Sequence, residues 1–117
     1  MASTELQAIV RFRFHDGDVV EFKRLSAQCM EIVRTRDTGT LQYDTYFNDG
    51  ETECIVIERF RDSDALIQHG ENLAHLMDAI VATGSVSGEL LGEPSTELRA
   101  RFTGGGPVQL FTPSATM

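Results

Sequence analysis

Four side chains in this 117-residue sequence combine chemical type and spacing suited to proton transfer or to hydrogen-bonding a ligand: Glu58, His69, Tyr43 and Asn72. His69 falls in a stretch where Leu66, Leu73, Leu76, Met77 and Ile80 recur at helical spacing. By that phase it lies in the middle of the apolar stripe, not on the polar face. An imidazole titrates near ~6.5, so one beside an apolar pocket is equipped as a general base. The same position also suits a core histidine that donates to a backbone carbonyl or to Glu58. Glu58 alternates with Cys54, Val56 and Phe60 on one strand face. A carboxylate among apolar neighbours needs a partner. His69, Arg11 and Arg13 are the candidates. Tyr43 and Tyr46 point to opposite faces of their strand. Tyr43, alongside Leu41 and Phe47, is the pocket candidate or a core anchor. Asn72 borders the stripe one turn after His69, within reach of a ligand oxygen. Phe12, Phe22, Leu66 and Leu73 would supply apolar walls.

The other reactive types give less. His75 is rotated away from the stripe and His15 sits in a turn, so the three histidines share no face and predict no metal site. Cys29 and Cys54 form no CxxC pair and read as small buried hydrophobes. The sequence holds no HExxH, P-loop or GxSxG motif. The Gly104-Gly105-Gly106 run before Pro107 marks a loop.

These side chains must be positioned by elements that the pattern makes visible. Residues 5–14 alternate, with Leu6, Ala8, Val10, Phe12 and Phe14 on one face, and predict a strand. Residues 18–36 carry Phe22, Leu25, Cys29, Ile32 and Val33 at helical steps, with Asp18 as N-cap and Gly39 as a left-handed C-terminal cap. Residues 40–48 and 52–60 alternate around Asp49-Gly50, a two-residue hairpin signal. A second helix runs from Asp62 or Ser63 to about Ala82, ended by Gly84. Residues 85–91 form a fourth strand. Ser95 caps a short helix to Phe102, and Val108–Thr112 forms a short fifth strand or arm on a sheet edge, of this or a partner subunit.

The order is β-α-β-β-α-β, the ferredoxin-like split unit: an α+β fold with a four-stranded antiparallel sheet. Residues 1–92 form the domain and 93–117 a C-terminal extension. Both helices cover one sheet face. Ile9, Tyr46, Ile55 and Ile57 lie on the other, and an apolar sheet face needs a cover. A second copy packed sheet against sheet predicts a homodimer with twofold symmetry.

Composition sets limits. Ten Lys and Arg against eighteen Asp and Glu give a formal charge of −8. Such a chain repels nucleic acid and anionic membranes, and its arginines form no nucleic-acid motif. No apolar run approaches the ~18 residues of a membrane helix. The first ten residues lack the basic and apolar regions of a signal peptide. With unpaired cysteines, this predicts a cytoplasmic protein.

The stretch Thr38–His69 resembles the antibiotic biosynthesis monooxygenase-like domain of the dimeric α/β-barrel superfamily. The matching positions are Gly39, Leu41, Tyr43, Glu58, Phe60, Asp62, Ala65, Leu66 and His69, and the resemblance spans roughly residues 5–90. It implies a small homodimer with a pocket between sheet and helices. It also implies oxidation of a small aromatic phenol or quinol by dioxygen, without metal or organic cofactor. His69 would then be the base that takes the phenolic proton, with Glu58 as its orienting partner. Tyr43 and Asn72 would position the ring. The superfamily also contains isomerases, decarboxylases and proteins without a known reaction, so a binding or dimerisation module of the same fold is the alternative. The chain lacks tryptophan and has Phe60 where that residue is common. Ala79 stands near the haem-ligating histidine of haem-degrading relatives, which argues against haem degradation.

Overall fold

The structure, a computed structural model, describes residues 3–102 and 105–117. Gly104 of the triple-glycine run lies outside the described residues. The chain runs β1 (Leu6–Phe14), α1 (Val19–Arg36), β2 (Thr40–Phe47), β3 (Glu53–Phe60), α2 (Ser63–Val81), β4 (Gly84–Leu91), α3 (Thr96–Ala100) and β5 (Val108–Phe111). The fold is ferredoxin-like α+β, with one extra strand. The sheet order is β2-β3-β1-β4-β5, and only the β4–β5 pair is parallel. The expected four-stranded antiparallel sheet is therefore a five-stranded mixed one. The tail strand extends the edge of its own chain's sheet, satisfying the open backbone groups of β4.

Alternation fixes the faces. Leu6 and Ala8 on β1, and Cys54, Val56, Glu58 and Phe60 on β3, are buried on the helix side. Register places Val10 opposite Val56 and Ala8 opposite Glu58. From the helices come Phe22, Leu25, Cys29 and Val33, and Leu73, Leu76 and Ile80, forming one core cluster. Leu98 of α3 joins Leu6, Ala8, Phe60, Ala65 and Leu90 in a second. Phe12, Phe14, Phe22 and Phe47 meet at ring separations of 4.7–6.2 Å, within the range of favourable aromatic pairing.

Several local expectations need correction. Asp18 occupies the N-cap of α1, but its side chain makes no capping hydrogen bond. Asp62 and Ser95 do cap, accepting from the backbone N–H of Ala65 and Leu98. The β2–β3 turn is not a two-residue hairpin. Asn48 N–H donates to Glu53 O, leaving Asp49–Thr52 as a four-residue loop. Its left-handed residue is Glu51 at φ 52°, not Gly50. The Asn48 side chain holds the loop by accepting from the N–H groups of Thr52 and Glu53, each at 3.0 Å. Leu41 is the extra residue of a bulge in β2, which turns it outward to 50% exposure and off the face of Tyr43.

Gly39 is not a left-handed cap. Its role is close approach: a Cβ there would stand 2.5 Å from the Ala65 Cβ. Two small residues thus let the first turn of α2 lie against the α1–β2 loop, and that contact builds the site.

Candidate active site

The α1–β2 loop is held by three polar side chains within two turns of α2, Gln68, His69 and Asn72. Gln68 Oε1 accepts from the Thr38 backbone N–H at 2.9 Å and from its hydroxyl at 3.1 Å. His69 Nδ1 meets Asp37 Oδ2 at 2.7 Å. Asn72 Nδ2 donates to Asp37 Oδ1 at 2.8 Å, and the Thr40 hydroxyl donates to Oδ2 at 2.6 Å. Only 1% of the Asp37 side chain is exposed. It is a buried carboxylate at the C-terminal end of α1, whose dipole disfavours negative charge there. The hydrogen bonds compensate.

On its other side His69 faces β3. Nε2 lies 3.4 Å from Glu58 Oε1. The imidazole is also wedged between two rings, Phe60 at 5.0 Å and Tyr43 at 5.4 Å. Asp37, His69 and Glu58 therefore form a buried acid–base chain. Neither Arg11 nor Arg13 reaches Glu58: Arg11 pairs with Glu89 and Arg13 with Glu53 on the opposite sheet face. Asp37, not Glu58, grips Nδ1 and so fixes the ring.

The charges shift accordingly. Burial pushes the His69 pKa down, but Glu58 and then Asp37 outweigh it, and the net shift is upward from 6.5. Burial pushes Asp37 up, but hydrogen bonds from Thr40, Asn72 and His69 win, and its pKa falls below 3.8. Both shifts are stability statements. The His69 contribution is complete below its unfolded pKa near 6.5 and is lost as pH rises through its higher folded value. The Asp37 contribution is present above 3.8 and is lost as pH falls through its lower folded value. Urea unfolding of the wild type and Asp37→Asn across pH checks this. The difference in stability between them should be largest between about pH 4 and 6.5 and shrink on both sides.

An apolar cavity of about 280 Å³ opens beside the chain. Of the expected site residues, Glu58, His69, Tyr43, Phe12, Phe22 and Leu73 line it. Asn72 and Leu66 are not among its lining. Asn72 donates to Asp37 instead, and Leu66 packs on the second core cluster with Phe60 and Leu90. Tyr43 lies near Cys29 and Glu58 on the cavity lining. Burial, with the nearby Cys29 and Glu58, holds its pKa far above the usual tyrosine range, so it stays a neutral hydroxyl. Burial also raises both cysteine pKa values, leaving Cys29 and Cys54 as thiols. His15 and His75 are exposed, and no group of three potential metal-binding side chains occurs among the described residues. No helix among the described residues is long and apolar enough to cross a membrane.

Asp37, the residue that follows α1, was not singled out from the sequence. The available signal was its cost: an acidic residue in the last turn opposes the helix dipole and calls for another role.

The chain matches the antibiotic biosynthesis monooxygenase family over residues 6–77. No curated protein matches it. Among solved structures it is similar to MupZ from Pseudomonas fluorescens, at 21% identity and TM-score 0.78, covering 100% of this chain and 91% of that one. It is similar to Rv0793 from Mycobacterium tuberculosis, at 19% identity and TM-score 0.69, covering 78% and 96%. SnoaB, a cofactor-independent oxygenase from Streptomyces nogalater, is similar at 21% identity and TM-score 0.65, covering 80% and 97%. These identities carry the fold, not the activity. The family match spans the elements that build the Asp37–His69–Glu58 chain, β1 through most of α2, and by it the chain belongs to the antibiotic biosynthesis monooxygenase family.

Proposed function

We propose that this protein is a cofactor-independent monooxygenase that oxidises a small aromatic phenol or quinol with dioxygen. The observation that carries this reading is a buried acid–base chain ending on an apolar cavity. Dioxygen reacts slowly with a neutral phenol, and the phenolate is the far better reductant. The protein's task is then to remove one proton in a dry site and hold the resulting charge.

With Nδ1–H donating to Asp37, His69 presents Nε2 as the acceptor. The substrate hydroxyl gives its proton to Nε2. Glu58, 3.4 Å away, stabilises the imidazolium that forms. The phenolate passes one electron to dioxygen, and the phenoxyl radical and superoxide combine at a ring carbon. The imidazolium returns its proton to the peroxide. Loss of water then leaves a quinone, with one oxygen atom in the product and one in water. Tyr43, a neutral hydroxyl beside His69, positions the ring, and Phe12, Phe22 and Leu73 supply apolar walls.

Oxygen-electrode measurements on chelator-treated protein with one- and two-ring phenols and quinols test this. Protein-dependent uptake is expected. Its absence with every substrate would overturn the reading in favour of oxygen-independent proton transfer.

The outer sheet face supports a homodimer. Tyr46 is 55% and Ile55 38% exposed, they sit in register, and Ile9 and Ile57 adjoin them. Such a patch is best covered by its own twofold copy. Light scattering should give the dimer mass for the wild type at micromolar concentration and the monomer mass for Ile55→Asp.

A further inference from the structure

Gly70 stands next to His69 in the interior of α2, where glycine is the costliest ordinary residue. The fold does not require it. A Cβ at this position would meet nothing within 4 Å, and Gly70 has no positive φ. Yet Gly70 lines the cavity. The bare position leaves room that no other described residue fills. Burial shows where it lies. Glu58, His69 and Leu73 form a buried floor, while Gly70, Met77, Val81 and Pro107 are exposed and form the mouth.

Charge limits what can pass. Glu58 and His69 are the only charged side chains among the lining residues. With Asp37 behind them, two carboxylates flank one imidazole. The arginines and the lysine with assigned partners, such as Arg11, Arg59 and Lys23, face carboxylates outside the cavity. An anionic ligand would meet two carboxylates against a single imidazole, with no lysine or arginine in the lining to offset them. A neutral molecule with a hydroxyl to donate meets acceptors.

We infer that the cavity selects uncharged, hydroxylated one- or two-ring molecules, admitted past Gly70, and rejects their carboxylated counterparts. This rests on the cavity being the substrate site, but not on the oxygen chemistry, because binding can be measured without oxygen. Its volume of about 280 Å³ lies just below the roughly 300–1,000 Å³ usual for ligand sites, so only a compact ring system fits.

Calorimetric titration under argon with 2-naphthol and 2-naphthoate, at pH 7.5, tests the selection. The wild type should bind 2-naphthol at least tenfold more tightly than 2-naphthoate. Gly70→Leu should weaken 2-naphthol binding at least tenfold. Gly70→Ala guards against a folding defect. It should raise Tm by roughly 3–6 °C, because alanine favours the helix, while weakening 2-naphthol binding about threefold. Equal affinity for the two ligands, or no binding of either, would overturn the charge rule. Unchanged 2-naphthol binding in both Gly70 variants would overturn the role of Gly70. Oxygen uptake is a separate measurement, so a failure of the oxygenase reading would leave these results standing.

Discussion

Replacing His69 with Ala is expected to lower kcat by about 10²–10⁴-fold, the usual contribution of a positioned general base. The ring is the only imidazole on the cavity, and its Nε2 faces the floor where a hydroxyl would sit. Removing it also leaves Asp37 and Glu58 buried without their shared partner, which costs stability. His69→Gln separates the two effects. Its amide can still meet Asp37 but takes no proton, so the variant should fold better than His69→Ala and turn over equally slowly. Circular dichroism and steady-state rates on the pair check this. Normal turnover by a folded His69→Gln would remove His69 from catalysis.

The second large effect belongs to Asp37, which touches no substrate and acts as a positioning residue. Asp37→Asn removes the charge while keeping the shape. It should reduce kcat by about 10²-fold or more, because an amide no longer dictates which imidazole nitrogen carries the proton. The pH profile gives a readout that a purely structural role would not move. Wild-type activity should rise with pH through a value above 6.5, since His69 must first lose its proton and its pKa is raised. Asp37 is one cause of that rise. In Asp37→Asn the midpoint should move to lower pH. A midpoint that stays in place would assign Asp37 to stability alone. Asp37→Ala, which strands the donors of Thr40, Asn72 and His69, should destabilise by about 3 kcal/mol or more.

The fold was legible because its elements bury one face each. Alternation in β1 and β3 and the helical steps of α1 and α2 identify the core side directly, and Glu58 and His69 fall on it. What periodicity does not encode is pairing at a distance. The parallel seat of β5 on β4 depends on contacts between residues some 20 positions apart. Leu41 left its predicted face through a single bulge, which shifts side-chain direction without altering the apolar count. Asn72 was placed correctly on the helix, one turn after His69. Its partner was not visible, because Asp37 lies 35 residues earlier and reaches it only through the close contact of Gly39 with Ala65. Half of the site was thus a matter of periodicity. The other half depends on one tight loop-to-helix approach.

The most direct test of the central claim uses ¹⁸O₂ with the chelator-treated protein and a two-ring quinol or phenol, with products read by mass spectrometry. The expected product is a quinone carrying one ¹⁸O atom, formed by the wild type and not by His69→Gln. Product without label, or labelled product formed equally by both proteins, would contradict it.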